Sequence, residues 1–376
     1  MSDVKAELAT LRERLNTVDR TILELVAERQ SIVQAIGQTK VSSGIPTRDY
    51  ARERQVIERA RGIADELGLR PELAETLVRA LIATSLESQE ADRIAQRDHS
   101  GAPALVVGGA GKMGRWIAGF LDSQGYAVAI ADEHPEDVGF PNRPDWLEDV
   151  DQWDVIILAT PIAITADLLE ALEQRRPRGL IFDVSSLKSP LRRPLRALAD
   201  AGLRVTSVHP MFGPDTRLLS GRHVILVDVG HAEANAEARA LFEPTMAELV
   251  EMSLEDHDRL ISYVLGLSHA LNIGFFTALR ESGEASGQLA RLSSTTFDAQ
   301  LDVARAVAGD NPRLYFEIQS LNDYRLAPLN ALGEAIDRLR SMVVSGDENG
   351  FVRLMELGRE YLSQRPQWQD PADGDS

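Results

Sequence analysis

The chain has 376 residues, 44% of them hydrophobic and 26% charged, with a formal net charge of −18 and no cysteine. That length exceeds one ordinary core and calls for roughly two to three domains. The charge sets phosphate backbones and anionic lipid aside as partners and leaves any anionic substrate to locally placed arginines, while the missing cysteines exclude disulfides, thiolate nucleophiles and cysteine-ligated zinc.

The opening stretch MSDVKAELATLRERL is charged and amphipathic and lacks the apolar core of a signal peptide, so a cytoplasmic protein is expected. Leu8, Leu11, Leu15, Val18, Ile22 and Leu25 recur at three- and four-residue steps and predict a helix over 4–41. At about 1.5 Å per residue it is over ~50 Å long, more than one small domain can cover, so a partner chain is expected along it. The next two steps of the stripe land on Arg29 and Ile32. SSGIP, residues 42–46, stops the helix at Pro46, a second helix follows over 48–67, and Pro71 opens a third to about residue 95. QRDHSGAP, residues 96–103, reads as a linker.

From there the pattern changes to short β-branched runs: ALVVGG, YAVAIAD, WDVIILATP, GLIFDVSS, RVTSVHP and HVILVDV. Spaced mostly by helix-length segments, they predict a mainly parallel sheet with helices on both faces over 104–253. Residues 254–364 read as helical, and 365–376 as a disordered tail. Residues 260–279 are long enough to be weighed as a membrane span. Ser262, Ser268, His269 and Asn272 would be costly in lipid, so a buried helix is expected.

Polar groups interrupt the packed face of each of the first three helices. Arg29 alone is readable as a snorkelling coiled-coil arginine. Lys40, eleven residues on, returns to nearly the same face. Asp49, Arg52 and Glu53 share a face of the second helix, and on the third Val78 and Leu81 lead into Ser85 and Gln89. Together these are expected to enclose a wet cationic cavity suited to a small dianion. Arg12 points about 100° away from Arg29 on the same helix, so one chain can hardly aim both at one ligand.

In the second region, Gly109, Gly111 and Gly114 form G-x-G-x-x-G, with Lys112 and Met113 inside it, between a strand and a helix. This places a helix N-terminus against a pyrophosphate. Asp132 closes the second strand, where a carboxylate accepts from an adenosine ribose hydroxyl and repels a 2′-phosphate, favouring NAD over NADP. Glu133 is adjacent, and a merely solvated turn acid is the competing reading. Thr160-Pro161, Ser185-Ser186 with Lys188, and HPMFGPD from His209 fall at carboxyl ends of strands, the ligand edge of such sheets.

Residues 5–92 resemble the all-helical chorismate mutases, in LRERLNTVDRTILELVAERQSIVQAIGQTK, PTRDYARERQVIERA and SLESQ. The resemblance implies that Arg29 and Arg52 hold carboxylates of chorismate, with Arg12 supplied by a partner subunit. It makes Lys40 and Gln89 donors to the ether oxygen, with Asp49, Glu53 and Ser85 completing the pocket. Residues 104 to about 345 resemble the prephenate dehydrogenases, in VVGGAGKMG, SSLKSPL, HPMFGPD and EDHD. This implies His209 as acceptor of a ring-hydroxyl proton, Ser186 as its helper and His269 at the substrate site. NAD is held by Gly109, Gly111, Lys112, Met113, Gly114, Asp132, Thr160 and Pro161, and no metal is required. Arg305 is the candidate for a prephenate carboxylate, although ARAVAGDNPRLY is one residue longer than the family pattern before its proline. An ordinary surface arginine is the other reading there.

The fold expected is therefore an all-α chorismate mutase bundle (1–95), a linker (96–103), an α/β Rossmann-type dinucleotide-binding domain (104–253) and an all-α C-terminal dimerisation domain (254–364). The expected whole is a homodimer that turns chorismate into prephenate and prephenate into 4-hydroxyphenylpyruvate on the route to tyrosine. Three alternatives stay open: an arogenate-preferring dehydrogenase, a first domain serving only dimerisation or regulation, and a general hydroxyacid dehydrogenase with a helical arm.

Overall fold

The computed structural model describes residues 2–43, 48–135 and 138–364. The stop expected at Pro46 and the disordered tail expected over 365–376 lie outside the described residues.

Three helices come first: α1 (Ser2–Ser42), α2 (Tyr50–Glu66) and α3 (Pro71–Ala95). Asp49 caps α2 by accepting from Arg52 N at 2.9 Å, and Pro71 begins α3 where its missing N–H costs nothing. α2 and α3 pack together, whereas the contacts of α1 with α3 named below all lie in its second half, from Arg29 to Val33. Leu8, Leu11, Leu15, Val18, Ile22 and Leu25 are each 46–59% exposed. The stripe is present but bare, because none of the described elements of the same chain extends along it. Residues 96–103 are fastened rather than loose. His99 N donates to Gln124 O, Gly101 N to Gly125 O, and the His99 ring stacks on Tyr126 at 4.1 Å.

Seven strands form one sheet: β1 (Pro103–Val107), β2 (Ala127–Ala131), β3 (Val155–Leu158), β4 (Leu180–Asp183), β5 (Val205–Pro210), β6 (His223–Asp228) and β7 (Glu248–Ser253). Their order is β2-β1-β3-β4-β5-β6-β7, parallel except for the antiparallel β5–β6 pair. The switch point lies between β1 and β3, where the chain reverses direction across the sheet. Ile156, Leu158 and Ile181 face one apolar layer; Ile157, Phe182 and Val208 face the other. Helices α4 (Lys112–Asp122), α5 (Ile162–Arg175), α6 (Arg192–Asp200) and α7 (Ala232–Phe242) cover the two faces. β7 was not expected. Its exposed Glu248 and Glu251 dilute the apolar signal, as befits a strand at the sheet edge.

The remaining chain is helical. α8 (Leu254–Ile261), a π-helical turn (Ser262–Leu267) and α9 (Ser268–Glu281) run on as one rod, followed by α10 (Ser286–Arg291), α11 (Thr295–Ala308), α12 (Pro312–Ser320), α13 (Leu326–Ser345) and α14 (Glu348–Ser363). Leu254–Glu281 is long and apolar enough to cross a membrane by length and composition. The buried helix expected over 260–279 is corrected here. Its buried residues are Leu254, His257, Asp258, Ile261, Ser262, Gly266 and Asn272, while Leu260, Tyr263, Val264 and Leu271 are 43–54% exposed. The inward face is mixed, apolar at Leu254 and Ile261 and polar at His257 and Asp258, which carry the network described below.

The bare stripe yields a measurable expectation. Leu15→Ala at a truly exposed site would change stability by no more than about 0.5 kcal/mol. If a partner covers it, the loss should be about 2–5 kcal/mol, and the thermal midpoint should rise with protein concentration. We expect the second result in thermal denaturation at two protein concentrations.

Candidate active sites

β1 delivers the chain into a turn that only glycines can make. Gly108 has φ +79°, a Cβ on Gly109 would lie 2.3 Å from the Ile130 side chain, and one on Gly114 would lie 2.1 Å from Gly108 O. Helix α4 therefore starts directly against the strand end. Its N-cap, Gly111, has no side chain to occupy the first N–H groups, which Lys112 and Met113 follow. Asp132 stands just past β2, its Oδ2 accepting from Ala110 N at 3.0 Å and its Oδ1 from His134 N at 3.1 Å. A carboxylate is thus held beside the glycine turn, and Asn142 brackets its backbone. Glu133 is exposed. Past β3, Thr160 Oγ1 lies 2.8 Å from Thr165 Oγ1 at the start of α5, next to exposed Pro161. These residues fit a dinucleotide: close backbone approach, free donors for phosphate and an acid at the ribose position.

Further along the same edge, β5 ends at His209, which is 3% exposed. Its Nδ1 lies 2.9 Å from His257 Nε2, and His257 Nδ1 lies 2.7 Å from Asp258 Oδ1. Asp258 also accepts from Lys188 N at 2.9 Å and from both the backbone N and the hydroxyl of Ser189. The Lys188 ammonium is buried on Asp183 Oδ1 at 2.7 Å, Ser185 O at 2.8 Å and Val208 O at 3.0 Å. Burial alone would raise the Asp258 pKa, but hydrogen bonds from His257 and Ser189 hold it below the usual carboxylate value. Asp258 is therefore an acceptor. That puts a hydrogen on His257 Nδ1, leaves His257 Nε2 to accept from His209 Nδ1–H, and leaves His209 Nε2 with its lone pair. Burial, then the charges of His257 and Lys188, push the His209 pKa well below its ordinary value, so the ring is neutral at pH 7.

Other expected residues lie apart from this network. Ser186 is half-buried and makes no hydrogen bond to His209 among the described residues; His257 orients the ring. His269, on α9, stacks on Tyr315 at 4.1 Å with its Nδ1 buried and unpaired, and burial lowers its pKa. Arg305 lies exposed on α11, its guanidinium 2.7 Å from Asp302. His257 and Asp258 appeared in sequence only as part of EDHD. Two acids flanking a histidine at a helix start were the available signal.

In the helical domain, Arg29 Nη1 donates to Ser85 Oγ at 2.8 Å and to Leu81 O at 3.1 Å. Ser85 Oγ passes on to Gln30 Oε1 at 3.0 Å, and Gln89 Nε2 donates to Val33 O at 3.2 Å. Lys40 is half-buried. Asp49, Arg52 and Glu53 do not share one environment. Asp49 is the exposed helix cap, Arg52 is exposed on Gln55, and Glu53 is buried against Arg48 at 3.0 and 3.2 Å. Arg12 is exposed, about 25 Å along α1 from Arg29 at ~1.5 Å per residue. The single chain does not close the cavity expected from sequence, since the face of α1 that would roof it is open.

Three family descriptions match the chain: chorismate mutase type II over residues 11–90, the nucleotide-binding domain of prephenate dehydrogenase over 126–251, and its dimerization domain over 253–357. The glycine turn precedes the second match. Among relatives, a T-protein of Enterobacter agglomerans is 28% identical over 348 residues, 92% of this chain and 91% of that one. A 4-amino-4-deoxyprephenate dehydrogenase of Streptomyces pristinaespiralis is 32% identical over 275 residues, 69% of this chain and 91% of that one. The solved prephenate dehydrogenase of A. aeolicus, in complex with hydroxyphenyl propionate and NAD+, superposes with a TM-score of 0.56 at 20% identity. That likeness, over 70% of this chain and 98% of the other, is one of fold.

The histidine pair sets a pH expectation. Followed by NMR, His209 should remain uncharged at pH 6.5 and above and take up its proton only well below that value. Titration near 6.5 would mean that the ring is solvated and the relay is not formed.

Proposed function

This chain belongs to the prephenate dehydrogenase family, with a type II chorismate mutase domain ahead of it, and from that premise we propose how its residues divide two consecutive reactions. It rearranges chorismate to prephenate and then converts prephenate to 4-hydroxyphenylpyruvate, using NAD, in tyrosine biosynthesis.

The first reaction is a pericyclic rearrangement. It needs neither nucleophile nor base, only a compact substrate conformer and donors at the ether oxygen where negative charge grows. In our reading Arg29, already steered by Ser85, and Arg52 grip carboxylates, while Lys40 and Gln89 face the ether oxygen and Glu53, Asp49 and Ser85 complete the wall. Arg12 comes from a second copy whose α1 lies along the bare stripe. The chain also carries a dimerization domain, and we propose a cytoplasmic homodimer.

The second reaction rests most on one observation: the fixed hydrogen-bond order Asp258–His257–His209. It leaves His209 Nε2 unprotonated at neutral pH, able to accept the proton of the ring hydroxyl. As His209 gains charge, its Nδ1–H strengthens the bond to His257, which Asp258 in turn supports. When bound, NAD takes the hydride from the hydroxyl-bearing carbon. Gly109, Gly111, Lys112, Met113, Gly114, Asp132, Thr160 and Pro161 would hold it. Loss of carbon dioxide yields the aromatic ring and supplies the driving force. His269, with a buried nitrogen to satisfy, and Ser186 line the substrate, and Arg305 binds a carboxylate.

Two tests follow. His209→Asn should lower dehydrogenase kcat by about 10²–10⁴-fold while chorismate turnover persists; full dehydrogenase activity would remove His209 from its role. Arg12→Ala and Arg29→Ala should each abolish chorismate turnover. Mixing the two variants should restore about a quarter of it, because half of reassorted dimers are hybrids and each hybrid has one intact site of two. Continued inactivity of the mixture, with exchange verified, would mean that the site is not shared.

A further inference from the structure

Two polar residues of the helical domain that neither reaction uses converge on one segment of the other domain. Residues 211–222 lead from the His209 strand to β6, and side chains outside the segment hold it at three points. Trp116 Nε1 on α4 donates to Thr216 O at 2.9 Å. Glu90 on α3 is 2% exposed; its Oε2 accepts from Leu219 N at 2.7 Å and its Oε1 accepts from Met246 N. Arg48 donates to Ser220 Oγ at 2.5 Å while its other nitrogens hold Glu53.

A carboxylate at that depth ordinarily sits against a cation. Glu90 has the charge of Arg93 nearby, but its hydrogen bonds go to two backbone N–H groups from separate stretches of the sheet domain, so its geometry serves to fix backbone. Packing does part of this work, since Leu219 is 2% exposed and Phe212 meets Trp116 edge-on at 4.9 Å, but it thins between them. A cavity of about 520 Å³ lies between α3, α4 and the segment, bordered by Trp116, Phe120, Thr216 and Arg217. Beside that hollow, hydrogen bonds from outside supplement the packing of the segment, and two of the anchors come from the mutase domain.

We propose that Glu90 is a positioning residue for the dehydrogenase reaction, contributed by the mutase domain: with Arg48 it fixes residues 211–222, the chain that leaves His209 at the ligand edge of the sheet. The inference rests on the assignment of the dehydrogenase site to His209.

The test uses the full chain. Glu90→Gln keeps the size of the side chain but can turn an amide N–H toward one of the two backbone donors. KM for prephenate should rise about tenfold, the value of roughly one buried hydrogen bond. The pH profile of kcat should not move, because His209, His257 and Asp258 are untouched, and chorismate turnover should stay within about twofold of wild type. Amides of 211–222 should exchange faster with deuterium. An unchanged KM, or equal loss of both activities, would overturn the proposal, the latter by reducing Glu90 to a general stabiliser. Should the variant fail to fold, Ser220→Ala decides the matter: a KM increase of about threefold at constant mutase activity supports the bridge, and an unaltered KM refutes it. Wild-type protein unable to reduce NAD with prephenate would bring down the dehydrogenase assignment itself, a separate outcome.

Discussion

The carboxylate of Asp258 fastens the sheet to the helices that follow it. It accepts from Lys188 N and Ser189 at the β4–α6 turn and from His257 on its own helix. Its backbone carbonyl accepts from Asn322 Nδ2 at 2.9 Å, and Ser189 Oγ accepts from Asp323 N at 3.1 Å. Three separate stretches of chain thus meet around one buried acid. Breaking such a cluster at one member strands the others without partners, so it is retained whole or not at all. The same acid fixes the tautomer of the histidine pair, and the cluster that joins two domains also prepares a base at their junction.

The two halves of the molecule treat their arginines and acids in opposite ways. In the sheet domain the ionisable groups near His209 are buried and fully engaged, and the site is preorganised by one chain. In the helical domain Arg29 is half-engaged, Arg52 and Arg12 reach into solvent, and the wall opposite them is missing. A pericyclic reaction needs an enclosure with charges at fixed points, and in the proposed dimer two copies of a long helix would provide this without a dedicated core. A proton and hydride transfer needs a base with a defined lone pair, the part proposed for His209 at its strand end.

Features with a local signature were legible in the sequence. The α1 stripe, the glycine turn and six of the seven strands follow from spacing within a few residues, because periodicity and glycine sterics act over that range. Arg29 was conspicuous because it broke a period. Features that depend on contacts between distant segments were not legible. Nothing in ESQEADR announces that Glu90 will bind Leu219 and Met246, and the role of His257 depends on β5 lying beside α8. The shared face assigned to Asp49, Arg52 and Glu53 failed because Asp49 became a cap, ahead of the first turn of its helix. The mixed inward face of Leu254–Glu281, which leaves Leu260, Tyr263, Val264 and Leu271 outside, was missed for a related reason: hydropathy counts how apolar a segment is and carries no information about which side meets the protein.

The bare face of α1 also bears on how the molecule is made. Synthesis runs from the N- to the C-terminus, so the sparsely covered α1 leaves the ribosome before α3 and the sheet domain. The acids and bases interleaved through its first turns, Lys5, Glu7, Arg12, Glu13 and Arg14 among them, keep that helix hydrated while it waits. Neighbouring ribosomes on one message hold identical helices at high local concentration. In the proposed dimer, pairing would therefore be favoured between chains still being translated, before the sheet that follows has been completed.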